Sequence, residues 1–309
     1  MAIVLIAKSQ DFETWCGLIA EHLPGVELRN WPDVGDAGEI DMAMAWKAPE
    51  GALASLPDLR LVYSLGQGVD HLFLHGDLPA GVAVCRLIDT SMRRQMTAYV
   101  VGAVLHHLCR MAGYAALQTE HRWQPLEPYD PGETRVGVLG LGALGGDVAE
   151  KLVALGFRVS GWSRTAKDIA GVDGFVGRAA LAEFLGTCEV VCCLLPLTAE
   201  TRGMLDAAAF AAMKPGAYLI NSARGGHVVE ADLLAALESG HIAGATLDVF
   251  QTEPLPDASP FWDHPGVTVT PHASSVTLAR SCIDQIAENY RRLQDGRALI
   301  NTVDPTQGY

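Results

Sequence analysis

Three polar residues in the second half of the chain have side chains suited to reducing a carbonyl group. Arg224 lies in NSARGG, Glu253 in LDVFQTEP and His272 in TPHAS, and each segment contains or follows an apolar run. A guanidinium holds a carboxylate through two parallel hydrogen bonds. An imidazole donates a proton to a developing alkoxide near neutral pH, and a nearby carboxylate stabilises its charged form. Singly, each residue is better explained as an ordinary loop residue.

A glycine-rich loop precedes these residues and strengthens their joint interpretation. Gly140, Gly142 and Gly145 have GxGxxG spacing, after the apolar segment RVGVL and before an amphipathic segment. In that context the glycines allow a tight turn, close approach of the backbone to a pyrophosphate and tight helix–strand packing. The amides at the helix N-terminus then face the phosphates. The alternative is a glycine-rich turn that binds no ligand.

The next strand, FRVSGW, indicates which dinucleotide the loop prefers. A strand in this position usually ends in an acid that accepts a hydrogen bond from the 2′-hydroxyl of NAD. This chain has Ser163 and Arg164 instead, with Lys167 nearby. Ser163 removes the repulsion of a 2′-phosphate, and Arg164 can pair with it. We therefore expect NADP(H) to be preferred and NAD to remain possible, unless Arg164 is simply a solvated surface residue.

Two series of alternating strands and helices must position these groups. The first has the apolar runs AIVLIA, VELRN, MAMAW, LRLVYSL and VAVCRL, and the second has RVGVLGLG, FRVSGW, EVVCCLLP, AYLINSA, AGATLDVF and VTVTPH. Such alternation predicts parallel sheets covered by helices. Because ligands bind at the carboxyl ends of such strands, we expect Arg224, Asp248, Glu253 and His272 to converge.

Two further segments predict long helices. Residues 97–118 are rich in helix formers and apolar on more than one face, which predicts a helix buried between domains or between subunits. SVTLARSCIDQIAENYRRLQDG predicts the last helix, and the proline-rich segment 125–133 separates the two series.

Composition limits the partners and the compartment. The net charge is −14, which disfavours nucleic acid as the main partner. The seven cysteines include no CxxC pair, so free thiols in a reducing compartment are the simplest explanation, and no metal site is expected. The N-terminal segment predicts a strand without a basic leader, and no segment predicts a membrane span. We expect a cytoplasmic protein.

The motifs SLGQGVDHL, GLGALGG, LLPLTAETRGML, MKPGAYLINSARGGHVVE, ATLDVFQTEPLP and VTVTPHAS resemble the D-2-hydroxyacid dehydrogenase family over nearly the whole chain. The resemblance implies two doubly wound α/β domains of Rossmann or flavodoxin type, with the coenzyme domain inserted into the substrate domain. The predicted coenzyme domain is 98–274, and the substrate domain comprises 1–97 and 275–309. The family also implies an active site between the domains and a homodimer, for which the helix 97–118 is the candidate interface.

The resemblance also assigns roles to individual residues. It gives Arg224 to substrate binding, Glu253 to pairing with the histidine, and His272 to acid–base catalysis, and Asp248 looks like a contact of the nicotinamide carboxamide. The expected cofactor contacts are Gly140, Gly142, Ala143, Leu144, Gly145, Ser163, Arg164, Thr165, Leu195, Pro196, Ser222, Ala223, Asp248, His272 and Ser274.

Within the family, WSRT and AWKAP resemble the NADPH-dependent glyoxylate/hydroxypyruvate reductase branch. The expected substrate contacts, besides Arg224 and His272, are the backbone of Gln67, Gly68 and Val69 and the side chain of Trp46, which packing would explain equally well. The expected reaction is reduction of glyoxylate or hydroxypyruvate to glycolate or D-glycerate. The alternatives are a dehydrogenase for D-lactate, phosphoglycerate or a bulkier acid, and a dinucleotide-sensing binding protein of the same fold.

Overall fold

The computed structural model describes residues 1–8 and 10–304, and the chain forms two compact units. The terminal unit comprises Met1–Met92 with Val276–Tyr309, and the central unit comprises Arg93–Ser275. The central unit is therefore inserted into the chain of the terminal unit. The predicted junctions of the coenzyme and substrate domains, after residues 97 and 274, stay a prediction.

Helices alternate with strands along both units. The α-helices of the described residues are α1 (Phe12–His22), α2 (Thr90–Leu108), α3 (Met111–Thr119), α4 (Ala143–Ala154), α5 (Leu181–Thr187), α6 (Ala207–Ala212), α7 (Glu230–Glu238) and α8 (Ala279–Gln294). The first strands are β1 (Ala2–Ile6), β2 (Glu27–Asn30), β3 (Ile40–Ala45), β4 (Leu61–Ser64) and β5 (Ala83–Arg86). The later strands are β6 (Arg135–Leu139), β7 (Arg158–Ser163), β8 (Val172–Val176), β9 (Val190–Cys193), β10 (Ala217–Asn221), β11 (Ile242–Leu247) and β12 (Val267–Val269).

The terminal unit is a five-stranded parallel sheet in the order β2-β1-β3-β4-β5. Every residue of β1 and β3 is buried, as expected for strands covered on both faces. One face packs against Trp15 of α1 and Ile286 of α8, and the other packs against the segment containing Leu53 and Leu56. In this sheet the strand order reverses between β1 and β3. The carboxyl ends of those two strands are therefore the expected ligand-binding side.

The central unit is a seven-stranded parallel sheet in the order β12-β11-β10-β9-β6-β7-β8. The order reverses between β6 and β9, so a crevice opens beyond the carboxyl ends of these two strands. The loops that follow β6, β7, β9, β10 and β11 all leave from this edge. The two sheets confirm the predicted fold class of doubly wound α/β domains.

The predicted single helix over 97–118 is wrong in its bounds and its continuity. The structure has α2, which begins earlier because the Asp89 carboxylate accepts hydrogen bonds from the amides of Ser91 and Met92, at 3.1 and 3.2 Å. The helix ends at Leu108 and is not continued, since Arg110 has a φ of 56° in the left-handed region. The chain then bends by 56° into α3. None of the residues of α3 is buried.

The sequence patterns did not predict strand β8 or the short helices α5 and α6. Strand β8 is an edge strand whose segment VDGFV includes Asp173 and Gly174, two residue types that are depleted in strands. The helices α5 and α6 contain seven and six residues, which is too few for a repeated helical pattern to be recognised in the sequence. These omissions leave the ligand edge of the sheet unchanged.

All seven cysteines lie within the described residues and are free, and Cys192 and Cys193 are buried on β9. In the part of the chain that the structure describes, no one helix has both the length and the apolar composition to cross a bilayer. Only α2 and α3 taken together, across their bend, meet both criteria.

Candidate active site

The glycine loop follows β6 and enters α4. Gly140 has a φ of 99°, and a Cβ there would lie 2.8 Å from the Leu194 carbonyl oxygen. A Cβ at Gly145 would lie 1.8 Å from the Gly140 oxygen, so the fold itself requires both glycines. A Cβ at Gly142 would meet no atom within 4 Å. The open space at Gly142, which packing does not explain, is where a ligand would approach the backbone.

Ala143 and Leu144 begin α4, and Gly142 is its N-cap residue. The first amides of a helix have no partner within the helix and carry its positive dipole end. These amides, the open side of Gly142 and the reversal of strand order between β6 and β9 coincide at one place. That place fits the pyrophosphate of a dinucleotide.

The residues that follow the neighbouring strands flank this loop. Ser163 ends β7 with a buried side chain whose hydroxyl donates to the Thr165 carbonyl at 2.8 Å. Arg164 and Thr165 are exposed beyond it. After β9, Leu195 is buried and Pro196 is exposed. A cation thus stands at the end of β7, at the position where the ribose-binding acid would be expected.

The loop after β10 carries Arg224 and is held by Asn221. The Asn221 side chain donates to the Arg224 carbonyl at 3.0 Å and accepts from the Ala223 amide at 3.2 Å. The Arg224 guanidinium donates to the Ala223 carbonyl at 2.8 Å. Gly225 lies so close to the next loop that a Cβ would be 1.9 Å from the Phe250 carbonyl carbon. Neither Asn221 nor Gly225 was singled out from the sequence, although both lie in NSARGG.

Ser222, in the same loop, has a buried hydroxyl that makes no hydrogen bond to any described residue. A buried hydroxyl without a partner costs free energy unless a ligand or water satisfies it. Together with the open side of Gly142, this hydroxyl is an observation of the structure that fits a bound dinucleotide. Ser222 was among the predicted cofactor contacts.

Asp248, directly after β11, fixes the segment that contains His272. Its fully buried carboxylate accepts hydrogen bonds from the amides of Ala273 and Ser274, at 2.7 and 2.9 Å, and from the Thr270 hydroxyl at 2.6 Å. The Tyr99 hydroxyl lies 2.6 Å from the same Thr270 oxygen and donates to it, because that hydroxyl's proton already points to Asp248. Burial is the largest cause that raises the pKa of Tyr99 to about 12.

His272 and Glu253 lie within hydrogen-bond distance, their Nδ1 and Oε2 atoms 2.8 Å apart. A carboxylate can only accept, so Nδ1 of His272 carries a proton. The second oxygen of Glu253 accepts from the Phe250 amide at 3.1 Å. His272 has a φ of 54°, and its amide donates to the Asp248 carbonyl at 2.8 Å. The backbone of His272 is therefore strained and held in place by Asp248.

The terminal unit contains the remaining predicted site residues. Gln67 and Gly68 are half-buried, and Val69 is buried, in the loop after β4. Trp46 follows β3, and its ring lies against Gly66, where a Cβ would be 2.5 Å from Cζ3. The packing explanation of Trp46 thus has direct structural support, and its contact with substrate stays a prediction.

Across residues 1–8 and 10–304, no group of three or more His, Cys, Asp or Glu side chains could hold a metal ion.

The fold and the loops at its carboxyl edge define a dinucleotide-binding α/β protein with a carboxylate-paired histidine. Residues 101–274 match the model of the NAD-binding domain of D-isomer specific 2-hydroxyacid dehydrogenases. Glyoxylate/hydroxypyruvate reductase A of Serratia proteamaculans is 45% identical over 314 residues, which cover 100% of each chain. The chain belongs to the D-isomer specific 2-hydroxyacid dehydrogenase family.

Two solved structures are similar over almost their full length. A D-isomer specific 2-hydroxyacid dehydrogenase from Xanthobacter autotrophicus Py2, in complex with NADPH and MES, is 44% identical with a TM-score of 0.93 and covers 100% of this chain and 99% of its own. An NADPH-dependent glyoxylate/hydroxypyruvate reductase from Sinorhizobium meliloti, in complex with NADP and sulfate, is 36% identical with a TM-score of 0.92, again covering 100% and 99%. These similarities confirm the predicted family and branch.

Proposed function

We propose that this protein is an NADPH-dependent reductase of small 2-oxo acids, converting glyoxylate or hydroxypyruvate to glycolate or D-glycerate. The observation that carries the proposal is the contact of 2.8 Å between His272 and Glu253. Both residues of this pair lie in the same compact unit as Arg224 and the glycine loop. Relatives named as glyoxylate/hydroxypyruvate reductases support the same substrate class.

The reaction adds one hydride and one proton to the carbonyl group of the substrate. When bound, NADPH supplies the hydride to the carbonyl carbon. His272 donates the proton to the carbonyl oxygen from Nε2, and Glu253 stabilises the imidazolium through its bond to Nδ1. Arg224 holds the substrate carboxylate and polarises the carbonyl. The amides of Gln67, Gly68 and Val69 contribute to holding the carboxylate, and Trp46 limits the size of the substrate.

The dinucleotide is held by residues from six loops of the central unit. Gly142, Ala143 and Leu144 present amides to the pyrophosphate, and the Ser222 hydroxyl finds its missing partner on the ligand. The other proposed contacts follow β7, β9, β10 and β11 or lie in the loop after β12: Ser163, Arg164, Thr165, Leu195, Pro196, Ala223, Asp248, His272 and Ser274.

A substrate panel with both cofactors tests the proposal. We expect a higher kcat/KM for NADPH oxidation with glyoxylate and hydroxypyruvate than with other 2-oxo acids. The other acids are those whose reduction gives D-lactate, a phosphorylated hydroxy acid or a bulkier hydroxy acid. Loss of absorbance of the reduced cofactor is the measurement. Binding of NADPH without turnover of any 2-oxo acid would instead indicate a dinucleotide-sensing protein, and a clear preference for a bulky acid would move the chain to another substrate class.

Arg164 is expected to select NADPH over NADH. Arg164→Ala should raise the KM for NADPH about 10–100-fold, because a charge-assisted bond is worth about 1.5–3 kcal/mol, and should leave the KM for NADH nearly unchanged. Arg158→Ala is the matched control, since Arg158 is exposed at the opposite end of the same strand. Equal effects of Arg164→Ala on both cofactors would show that Arg164 is only a surface residue.

The proposal extends to assembly and compartment. A homodimer is supported by the apolar surface of α3 and the following segment, where Met111 and Trp123 are 51% and 102% exposed. A second copy of the chain that covers this surface fits a symmetric dimer. Seven free cysteines support a reducing, cytoplasmic compartment. The net charge of −14 supports the absence of a nucleic-acid partner.

A further inference from the structure

A buried hydroxyl–imidazole pair lies beneath the loop 65–69 of the terminal unit. Ser64, the last residue of β4, is fully buried, and His71 is 5% exposed. The Ser64 hydroxyl oxygen and the His71 Nε2 atom are 3.1 Å apart. Neither residue was singled out from the sequence as a site residue, although both lie within or beside the motif SLGQGVDHL.

The contacts of this pair fit one arrangement of protons. The His71 Nδ1 atom accepts from the Lys47 amide at 3.2 Å, so the proton of a neutral ring lies on Nε2 and is donated to Ser64. The Ser64 oxygen also accepts from the Gly66 amide at 3.2 Å and donates its own proton to the Gly68 carbonyl at 2.9 Å. These contacts use the donor and both acceptor positions of the hydroxyl.

The packing around the pair leaves little freedom. The rings of Trp46 and His71 meet edge to face, with their centroids 4.5 Å apart. The Trp46 ring also covers Gly66, where no side chain would fit. Lys47, whose amide binds His71, has a φ of 50°. The pair therefore connects the turn after β3 to the loop after β4.

The bond from Ser64 to Gly68 has a directional consequence. In a trans peptide the carbonyl and the following N–H point in opposite directions. Because the Gly68 carbonyl points inward to Ser64, the Val69 N–H points away from Ser64. The hydroxyl thus sets the direction of an amide in the segment that the proposed function uses to hold a carboxylate.

We infer that Ser64 and His71 are positioning residues for substrate: the neutral imidazole orients the Ser64 hydroxyl, and that hydroxyl orients the Gly68–Val69 peptide toward the substrate carboxylate. This inference rests on the proposed function. It assigns both residues an effect on the binding of carboxylate-containing ligands, with little effect on the binding of NADPH.

The test compares Ser64→Ala, His71→Ala and His71→Gln with Tyr63→Phe. Tyr63→Phe is the matched control, because it removes a buried hydroxyl that bonds to Gln285, one residue away on the same strand. We expect Ser64→Ala to raise the KM for glyoxylate about 10-fold, with a smaller change in kcat and an unchanged KM for NADPH. His71→Ala should raise the KM similarly. His71→Gln should recover part of the loss, since its amide can still donate to Ser64.

A binding measurement keeps this inference separate from the proposed reaction. Calorimetric titration of the NADPH-loaded protein with oxalate, a small carboxylate that is not reduced, should show about 10-fold weaker binding in Ser64→Ala than in Tyr63→Phe. Equal oxalate affinities in these variants, or no oxalate binding by the wild-type protein, would overturn the positioning role whatever the turnover. Absence of 2-oxo acid turnover together with weakened oxalate binding in Ser64→Ala would reject the reaction and retain the role.

If Ser64→Ala fails to fold, the KM of His71→Gln for glyoxylate tests the positioning role. A purely structural role would lower thermal stability, kcat and cofactor affinity together, and it would leave no selective rise in the KM for glyoxylate. That pattern in the His71 variants would contradict the inference.

Discussion

The loop that contains His71 in the terminal unit and the loop that contains His272 in the central unit are held in different ways. In the terminal unit, His71 and Ser64 are buried and bonded to backbone groups and to each other, so the network contains no charged partner among these contacts. In the central unit, His272 is half-buried and bonded to the Glu253 carboxylate, and its backbone is held through Asp248. The first arrangement suits a loop that keeps one geometry, and the second suits a ring that gains and loses a proton.

The largest expected effect separates the two histidines. His272→Ala should lower kcat about 10³-fold or more, because it removes the proposed proton donor, and should leave NADPH affinity nearly unchanged. His71→Ala should act mainly on the KM for glyoxylate. Steady-state kinetics and NADPH binding by fluorescence measure both. Comparable kcat losses in the two variants would remove the distinction between a proton-transferring and a positioning histidine.

Glu253→Gln sharpens the same comparison. The amide oxygen can still accept a hydrogen bond from His272 Nδ1, but the negative charge is gone. We expect an activity between those of the wild type and His272→Ala, since the ring keeps its orientation and loses the stabilisation of its charged form. Wild-type activity in this variant would show that Glu253 only orients the ring.

The residues of the His272 loop were predicted from the sequence as site residues, whereas Ser64 and His71 were not. Arg224, Glu253 and His272 could be proposed as site residues because each follows a strand, and parallel strands bring their carboxyl ends to one edge. Gly140, Gly142 and Gly145 could be found because their spacing has a backbone cause. These signals depend on local order along the chain, and the structure brings Glu253 and His272 together across 19 residues of it.

What the sequence did not predict depends on contacts that carry no local pattern. Ser64 and His71 meet because the loop turns back beneath itself, and the Lys47 amide reaches His71 from the turn after β3. The break between α2 and α3 occurs at Arg110, where neither glycine nor proline marks the left-handed residue. Such features follow from packing and satisfied hydrogen bonds in the finished fold rather than from propensity.

The next largest effect tests how the two loops are anchored. Asp248→Ala leaves the amides of Ala273 and Ser274 without their carboxylate acceptor, which should cost about 3 kcal/mol of local stability. Ser64→Ala removes neutral bonds and should cost about 1–2 kcal/mol. Hydrogen exchange of peptides that contain residues 270–275 and 64–70 measures both losses. Asp248→Asn is the matched control, because it keeps the side-chain volume and one acceptor.

Faster exchange confined to residues 270–275 in Asp248→Ala would support anchoring of the His272 loop by the carboxylate. Exchange at the wild-type rate there would contradict it. The comparison fails altogether if Ser64→Ala loosens its loop more than Asp248→Ala loosens the other, since charge-assisted bonds should be the stronger anchors.

The smallest expected effect concerns a third histidine and the pH dependence of the central unit. His107 of α2 stacks on Tyr218 of β10, with the ring centroids 3.8 Å apart. Burial, with smaller contributions from Arg110 and His106, lowers the pKa of His107 from its ordinary value of 6.5 to about 4. Between these pH values the unfolded chain binds the proton more readily than the folded one, so stability falls as the pH falls below 6.5.

His107→Phe should remove this pH dependence and keep the ring stack. The His107 ring is partly exposed, and solvent screens its charge. Between pH 7 and pH 5 we therefore expect the free energy of unfolding to fall by only about 1 kcal/mol more in the wild type than in His107→Phe. Urea unfolding at both pH values, followed by the fluorescence of central-unit tryptophans, is the measurement. Identical losses in the two proteins would show that His107 is protonated in the fold as easily as in the unfolded chain. The assignment of a lowered pKa to His107 would then be wrong.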